Sequence, residues 1–329
     1  MSPNDATSPD SPNGGGPPAG RRVTGRVVGI VLEPTAEHVA AARALAAAGE
    51  VGGDVVFPGI VSPCVSTAVT NHGGAVGTAD PVELIFWGTA WQTLPDPTNP
   101  AVLLSDSVTA AVKSVLAGPW FSALRQYGVR RCPFGSSRTV TSSNPVLLPN
   151  QLSEDDVQGV VQSLIDDNTF PEPDEPGGRN LYFVFLPPGA QVGSGAFRGA
   201  HGYFNSGSFI DVDHTWYAWV HSNQPPSAMM STFTHELAEM CTNPEGDAWF
   251  IDDVAGACQE IGDICNILDG PLNGVNVESY WSIYDKTCVI PTAWSVKRAL
   301  AAVGITLGGK GLLSVPNTSP SMNQWIVNL

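Results

Sequence analysis

The sequence predicts a single loop-rich α/β domain, and its composition and apolar patterning both point to this fold class. Hydrophobic residues make up 43% of the 329 residues and charged residues only 14%, so the chain can bury a core, unlike a disordered protein. The 35 Gly and 28 Pro residues favour many loops over a helical bundle. Apolar runs at 82–87 and 181–186 are typical of buried strands.

The chain divides into three parts by composition. Residues 1–22 are rich in Pro, Gly and Ser, which predicts a flexible tail. Residues 23–293 are expected to form the domain, and residues 294–329 a C-terminal extension.

Strand and helix signals follow one another through the first part of the domain. The predicted elements are a strand at 22–32, a helix at 35–48, a buried strand at 82–87, a helix from 105 or 106 to 116, and a helical segment to 127.

The second part contains further signals of both kinds. Short strands are predicted at 138–141 and 146–148, and Ser153 caps a helix that runs to about Asp166. A buried strand at 181–186, a Gly-rich loop at 188–202, a strand at 216–220 and a late helix at 295–303 complete the list.

The segment 234–244, Thr-His-Glu-Leu-Ala-Glu-Met-Cys-Thr-Asn-Pro, is predicted to be a helix that carries chemistry. Apolar residues before and within it recur at three- and four-residue steps and form one packing stripe. His235 and Glu239 are four residues apart, so their side chains project side by side and can bind one metal ion. Glu236 stands beside them as a candidate general base, as in His-Glu-x-x-His zinc hydrolases. Pro244 ends the helix.

Two further residues complete the predicted site. Glu260 lies in an acidic turn downstream of the helix, where zinc hydrolases often take a third ligand. His201, in the Gly-rich segment, is the first choice for an upstream histidine that acts as a ligand or stabilises an oxyanion. His214 and His221 flank a strand and are more simply read as surface or core residues.

The identity of the metal is left open by this ligand set. A site of His235, Glu239 and Glu260 is rich in carboxylates, and carboxylates suit Mn²⁺ or Ca²⁺ as well as Zn²⁺. The acidic stretch 245–269 could also bind calcium, although it lacks the spacing of an EF-hand. We take zinc as the leading cofactor.

Charge and hydropathy restrict the partners. Fifteen basic against 31 acidic residues give a formal charge of −16, which repels nucleic acid and anionic membranes. No apolar run approaches the length of a membrane span, and the N-terminus has no secretory signal pattern, so localisation stays open. Of the six cysteines, Cys241 could form a disulfide with Cys258 or Cys265 and fix the acidic turn to the helix end.

Several segments resemble the Exordium, or phosphate-induced protein, family of plants and its bacterial relatives. The resemblance covers roughly residues 81–291, and its most specific parts are the motif helix and the Glu-Ile-Gly-Asp turn at 260–263. The other matching segments are Phe86-Trp87-Gly88, 181–186, His201, 217–220, Thr242-Asn243-Pro244, Ala248-Trp249-Phe250, Tyr280-Trp281-Ser282 and Cys288. The resemblance implies a zincin-like domain in which the motif helix packs on a twisted mixed sheet. It implies no particular reaction.

The function expected from these observations is that of a metal-dependent, peptidase-like hydrolase acting on a peptide or another small polar substrate. Glu236 would be the general base, His235, Glu239 and Glu260 the ligands, and Asp263 a residue that orients His235. One alternative is a non-catalytic binding or cell-surface module with a structural metal. Another is a metal-free fold in which Glu236 and Glu239 hydrogen-bond the following loop.

Overall fold

The computed structural model of the chain describes most of the predicted domain. The residues described are 25–32, 50–51, 54–57, 68–141, 151–171, 173, 179–193, 197–206, 213–252, 259–293, 306–307 and 313–314. The predicted tail, the helix at 35–48, the strand at 146–148 and the helix at 295–303 lie outside these residues.

A six-stranded mixed sheet forms the centre of the fold. Its strands in chain order are β1 (Gly25–Leu32), β2 (Val82–Trp87), β3 (Phe134–Val140), β4 (Leu181–Phe185), β5 (Phe197–Ser206) and β6 (Asp213–Val220). Across the sheet the order is β1-β5-β6-β4-β2-β3. The pairs β1–β5 and β5–β6 are antiparallel, whereas β6, β4, β2 and β3 run parallel to one another. The predicted α/β class is therefore confirmed.

In the part of the chain that the structure describes, three α-helices cover the two faces of the sheet. They are α1 (Leu104–Ala117), α2 (Glu154–Asp166) and α3 (Pro226–Thr242). Apolar side chains of α1 and α3 share one hydrophobic core with one face of the sheet, and those of α2 share a second core with the opposite face. The amphipathic period of each helix thus decides which sheet face it covers.

Local signals account for the ends of these helices. Ser153 Oγ accepts a hydrogen bond from the Asp156 backbone N–H, and the Asp156 carboxylate accepts one from the Ser153 N–H, which is a capping box. The predicted cap is therefore confirmed. Helix α3 ends at Thr242, before Pro244, as the sequence predicts.

Strand β5 is where the fold departs most from the sequence-based prediction. The predicted loop at 188–202 is wrong for residues 197–202, because they belong to a strand paired on both sides. A Cβ atom at Gly199 would lie 2.6 Å from Thr232 Cγ2, and one at Gly202 would lie 2.1 Å from the Arg26 carbonyl oxygen. Glycine at these two positions allows the neighbouring elements to pack closely on the strand. In the sequence, the same glycines are equally typical of a loop.

Shorter elements surround the sheet. The 3₁₀ helices are Thr89–Gln92, Pro119–Ser122, Leu124–Tyr127 and Asp263–Cys265. The short strands are Glu50–Val51, Asp54–Phe57, Thr70–Asn71, Pro95–Asp96, Asn99–Leu103, Gln151–Leu152, Gln191–Val192, Trp249–Phe250, Asp269–Leu272, Val275–Glu278, Tyr280–Ser282, Thr287–Ile290, Thr306–Leu307 and Leu313–Ser314. Within the described ranges, no helix is both long and apolar enough to cross a bilayer.

The cysteines pair differently from the prediction. Cys265 forms a disulfide with Cys288, whereas Cys241 is a free thiol whose sulfur lies 3.4 Å from that of Cys132. The expected link from Cys241 to Cys265 is therefore wrong, and Cys258 lies outside the described residues. The disulfide still fixes the acidic turn, but it joins the turn to the strand Thr287–Ile290 instead of to the helix.

Candidate metal centre

Helix α3 is buried on all sides over its motif. Every residue from Met229 to Thr242 is buried, and His235, Glu236 and Glu239 are at most 1% exposed. The polar residues of the motif therefore do not lie on a solvated helix face. Buried polar and charged groups destabilise a fold unless they have partners, so the surroundings of these three side chains decide their role.

Strand β5 brings a second imidazole to the helix. His201 is fully buried, and it stands opposite Ala218 of β6, whose side chain belongs to the core shared with α3. Gly199, two residues earlier on the same strand face, has only 3.0 Å between its ideal Cβ position and Glu236 Oε1. The missing side chain at Gly199 therefore allows α3 to lie directly over His201.

The turn 259–265 supplies two further carboxylates, those of Glu260 and Asp263. Asp263 Oδ2 accepts hydrogen bonds from the backbone N–H groups of Gln259 and Glu260, which closes the turn on itself. The Asp263 N–H donates in turn to Glu239 Oε1, at 3.0 Å. An ideal Cβ at Gly262 would lie 2.7 Å from that same Oε1 atom, so glycine is needed for the turn to approach the helix.

These elements bring the side chains into two groups that share Glu239. His201, Glu239 and Glu260 form one group, and His235, Glu239 and Asp263 form the other, each with its ligand atoms within 4.8 Å of one another. His235 Nε2 lies 3.0 Å from Glu239 Oε1 and 3.9 Å from Asp263 Oδ1. His201 Nε2 lies 3.7 Å from Glu260 Oε1. Nitrogen and carboxylate oxygen at such distances are suitable ligands for a divalent cation.

The Nδ1 atom of each imidazole contacts the carboxylate of a buried glutamate. His201 Nδ1 lies 3.0 Å from Glu236 Oε2, and His235 Nδ1 lies 2.9 Å from Glu278 Oε1. A carboxylate that accepts the Nδ1 proton fixes the ring orientation and leaves the Nε2 lone pair for a ligand, an arrangement common around metal-bound histidines. Both rings of the cluster have this arrangement.

Four fully buried polar atoms of the cluster have no hydrogen-bond partner. They are His201 Nε2, His235 Nε2, Glu236 Oε1 and Glu239 Oε2. An unsatisfied buried polar atom is unfavourable by about 1–3 kcal/mol, and more when the group is charged. Three of these atoms belong to His201, His235 and Glu239, which are members of the two groups, and the fourth belongs to Glu236 beside them. The residues of the two groups could therefore hold a metal ion.

The electrostatics of the cluster point the same way. Burial raises the pKa of Glu236 to about 7 and that of Asp263 to about 8, and burial together with the charge of Glu239 raises the pKa of Glu260 well above its usual value. Burial lowers the pKa of His201, but the nearby Glu260 and Glu236 carboxylates outweigh it and raise that pKa to about 9. Without a cation, protons would balance the carboxylates, and a metal ion would compete with those protons.

The structure brings together all of the predicted site residues, but it groups them differently from the predicted ligand set. His235 and Glu239 are adjacent as expected, but Glu260 approaches His201 instead of His235. Asp263 faces His235 Nε2, the nitrogen available to a metal, so its position is that of a ligand more than of an orienting residue. His214 and His221 lie outside both groups, and His214 pairs with Glu245 at 2.7 Å.

Sequence reasoning missed two residues of the centre. Glu278, which orients His235, also accepts hydrogen bonds from Ser231 Oγ and the Ile267 N–H. Asn243, the residue after α3, donates from Nδ2 to Glu260 Oε1 at 2.7 Å. Glu278 ends a short apolar strand beyond the acidic stretch, so its only sequence signal is a carboxylate beside Val277. In the sequence Asn243 is marked as a helix-ending residue before proline and as part of a segment that resembles the Exordium family, and neither signal assigns it a contact with Glu260.

Three comparisons, with protein-family models, with curated proteins and with solved structures, found no match for this chain. The resemblance to the Exordium family and the zincin-like fold label therefore stay predictions that depend on the motifs alone.

Proposed function

We propose that the chain is a metal-dependent hydrolase whose centre lies between α3, β5 and the turn 259–265. The observation that supports this most is the set of four buried polar atoms without partners, which includes one nitrogen of each imidazole. His235 and Glu239, with Asp263 or with His201 and Glu260, would hold the ion. Zinc is the leading cofactor, and Mn²⁺ or Ca²⁺ would fit the carboxylate-rich set.

A bound divalent ion supplies Lewis-acid chemistry: it lowers the pKa of a coordinated water and polarises a carbonyl group. The chain's own contribution is Glu236. Its Oε2 is bound to His201 Nδ1, while its Oε1 is free to accept a proton. In the metal-free chain burial raises the pKa of Glu236 to about 7. Next to a bound ion, the open Oε1 would take a proton from water and pass it to the leaving amine.

His201 would keep Glu236 in place during this transfer. When Glu236 Oε1 takes up a proton, Oε2 retains its contact with His201 Nδ1, so the side chain does not have to rotate. The substrate class that we propose, a peptide or another small polar amide, follows from this acid–base role and from the motif.

The second candidate function is a non-catalytic module with a structural metal ion. The burial of the cluster favours it, because Glu236, Glu239 and His201 have no solvent-exposed surface at all. In this case the ion would hold the acidic turn against α3 and β5, and Glu236 would only orient His201.

The variant Glu236→Gln separates the two functions. The hydrolase proposal predicts that the metal content stays unchanged while turnover of a peptide library falls by about 10²–10⁴-fold. Glu83→Gln is the matched control, since Glu83 is a buried carboxylate outside both groups whose Oε2 accepts two hydrogen bonds from Ser136. Metal binding without turnover in the wild-type chain, or full turnover in Glu236→Gln, would contradict the proposed base.

A further inference from the structure

We propose that the centre holds two divalent metal ions bridged by the carboxylate of Glu239. The inference rests on the metal-binding part of the proposed function and goes beyond it, because the motif alone provides for one ion. Four features of the cluster lead to it: the division of the ligands, the position of Glu239, the matching contacts of the two imidazoles, and the charge.

The ligands divide into two sets with one shared member. The five side chains do not form one group with all ligand atoms within 4.8 Å, but two groups of three that meet only at Glu239. Two ligand atoms on opposite sides of one zinc ion are at most about 4.4 Å apart, since each bond is about 2.0–2.2 Å long. One ion therefore does not reach all five side chains in this arrangement, whereas two ions do.

Glu239 has the geometry of a bridge. Its Oε1 lies 3.0 Å from His235 Nε2, and its Oε2 lies 3.5 Å from His201 Nδ1, the nitrogen that also contacts Glu236. Oε2 has no hydrogen-bond partner, although it is fully buried. A carboxylate with one oxygen toward each of two histidine-containing ligand sets is the usual link in two-metal sites.

The two imidazoles have equivalent surroundings. Each has a buried glutamate at Nδ1, Glu236 for His201 and Glu278 for His235, and each has an Nε2 atom without a hydrogen-bond partner. If only one set bound metal, the other would keep an oriented imidazole whose buried Nε2 atom has no hydrogen-bond partner. A second ion satisfies both sets.

Charge favours two ions over one. Five carboxyl groups contact the two imidazoles directly: Glu236, Glu239, Glu260, Asp263 and Glu278. The chain has no Lys or Arg between Glu236 and Asp269, and the buried Arg198 interacts with Asp269 at the edge of the cluster. With the carboxylates ionised and the imidazoles neutral, one divalent ion leaves three formal negative charges in the interior, and two ions leave one. Buried charge without compensation is strongly unfavourable.

The test is a titration of the purified full chain, stripped with a chelator, with MnCl₂ followed by electron paramagnetic resonance. We expect two Mn²⁺ per chain at saturation and the spectrum of an exchange-coupled pair. His201→Ala and His235→Ala should each bind one ion and show the six-line spectrum of isolated Mn²⁺. His221→Ala is the matched control, because His221 is a buried histidine outside both groups and should leave the coupled pair intact.

One uncoupled ion per chain in the wild-type protein would overturn the proposal, and this readout does not depend on whether the variants fold. Elemental analysis after loading with ZnCl₂ provides the same count for zinc. The outcome is separable from that of the hydrolase proposal. One ion with Glu236-dependent turnover would remove the second ion only, and two ions without turnover would remove the catalytic role only.

Discussion

Carboxylates on the two faces of the central sheet differ in their hydrogen-bond partners. On the α2 face, Glu154 accepts hydrogen bonds from the Tyr217 hydroxyl at 3.0 Å and from Trp219 Nε1 at 2.8 Å. On the α3 face, Glu239 Oε2 and Glu236 Oε1 have none. These two atoms are the only fully buried carboxylate oxygens without a hydrogen-bond partner in the described part of the chain.

The difference separates a carboxylate that protein donors satisfy from carboxylate oxygens that have no donor in the protein. The α2 face provides aromatic donors for its carboxylate, so Glu154 is complete without a ligand. The α3 face places carboxylates and imidazoles together and provides too few donors for them. Two aromatic donors satisfy the partly buried Glu154 on one face, whereas the carboxylate oxygens on the other face lack donors, which supports the proposed cation site there.

Metal removal should produce the largest effect and should act through the α3 face alone. Binding at about 1,000 times the dissociation constant stabilises a protein by about 4 kcal/mol. For a domain of this size that corresponds to a fall of about 8–16 °C in melting temperature on chelation. Differential scanning calorimetry with and without a chelator measures it. A melting temperature that does not change when a chelator is added to the metal-loaded protein would contradict this prediction.

Glu278→Gln should weaken metal binding without removing a ligand. The amide no longer accepts the His235 Nδ1 proton as a charged group, so we expect the affinity for the metal to fall by about 10–100-fold. Isothermal titration calorimetry with zinc gives the affinity, and the melting temperature of the metal-free protein provides the reference. Unchanged affinity would show that Glu278 supports the fold only.

Glu154→Ala should destabilise the α2 face to the same extent with and without metal. It removes the acceptor for Tyr217 and Trp219, and we expect a loss of about 1–3 kcal/mol in unfolding free energy. Urea unfolding of the loaded and the stripped protein measures both values. If the loss depended on metal, the two faces would be coupled and the comparison would need revision.

Glu83→Gln should have the smallest effect of these changes. The amide oxygen can still accept the two hydrogen bonds from Ser136, so the unfolding free energy should change by about 1 kcal/mol or less. Metal content should equal that of the wild-type chain. Loss of metal in this variant would mean that metal binding depends on buried charge in general and not on the α3 face.

Local patterns predicted the parts of the fold that local physics determines. The apolar run Val82–Trp87, the cap at Ser153 and the end of α3 before Pro244 are all confirmed, because each depends on neighbours in sequence. Strand β5 was missed because Gly199 and Gly202 are required by contacts with α3 and β1, which are distant in sequence.

The residues of the candidate site also divide into those that local spacing marks and those that only packing brings together. His235, Glu236 and Glu239 could be found from helical spacing alone. The pairing of Glu260 with His201 depends on how the turn 259–265 folds against α3, and the contact of Glu278 with His235 spans 43 residues. Such contacts arise only when the elements pack, so no spacing rule reveals them.

The most direct test of the account is the metal content of the purified chain, measured by elemental analysis beside the variants Glu239→Gln and Glu83→Gln. The account predicts bound divalent metal in the wild-type chain and in Glu83→Gln, and its loss in Glu239→Gln. A wild-type chain that contains no metal, and whose melting temperature does not change when Zn²⁺, Mn²⁺ or Ca²⁺ is added, would contradict it.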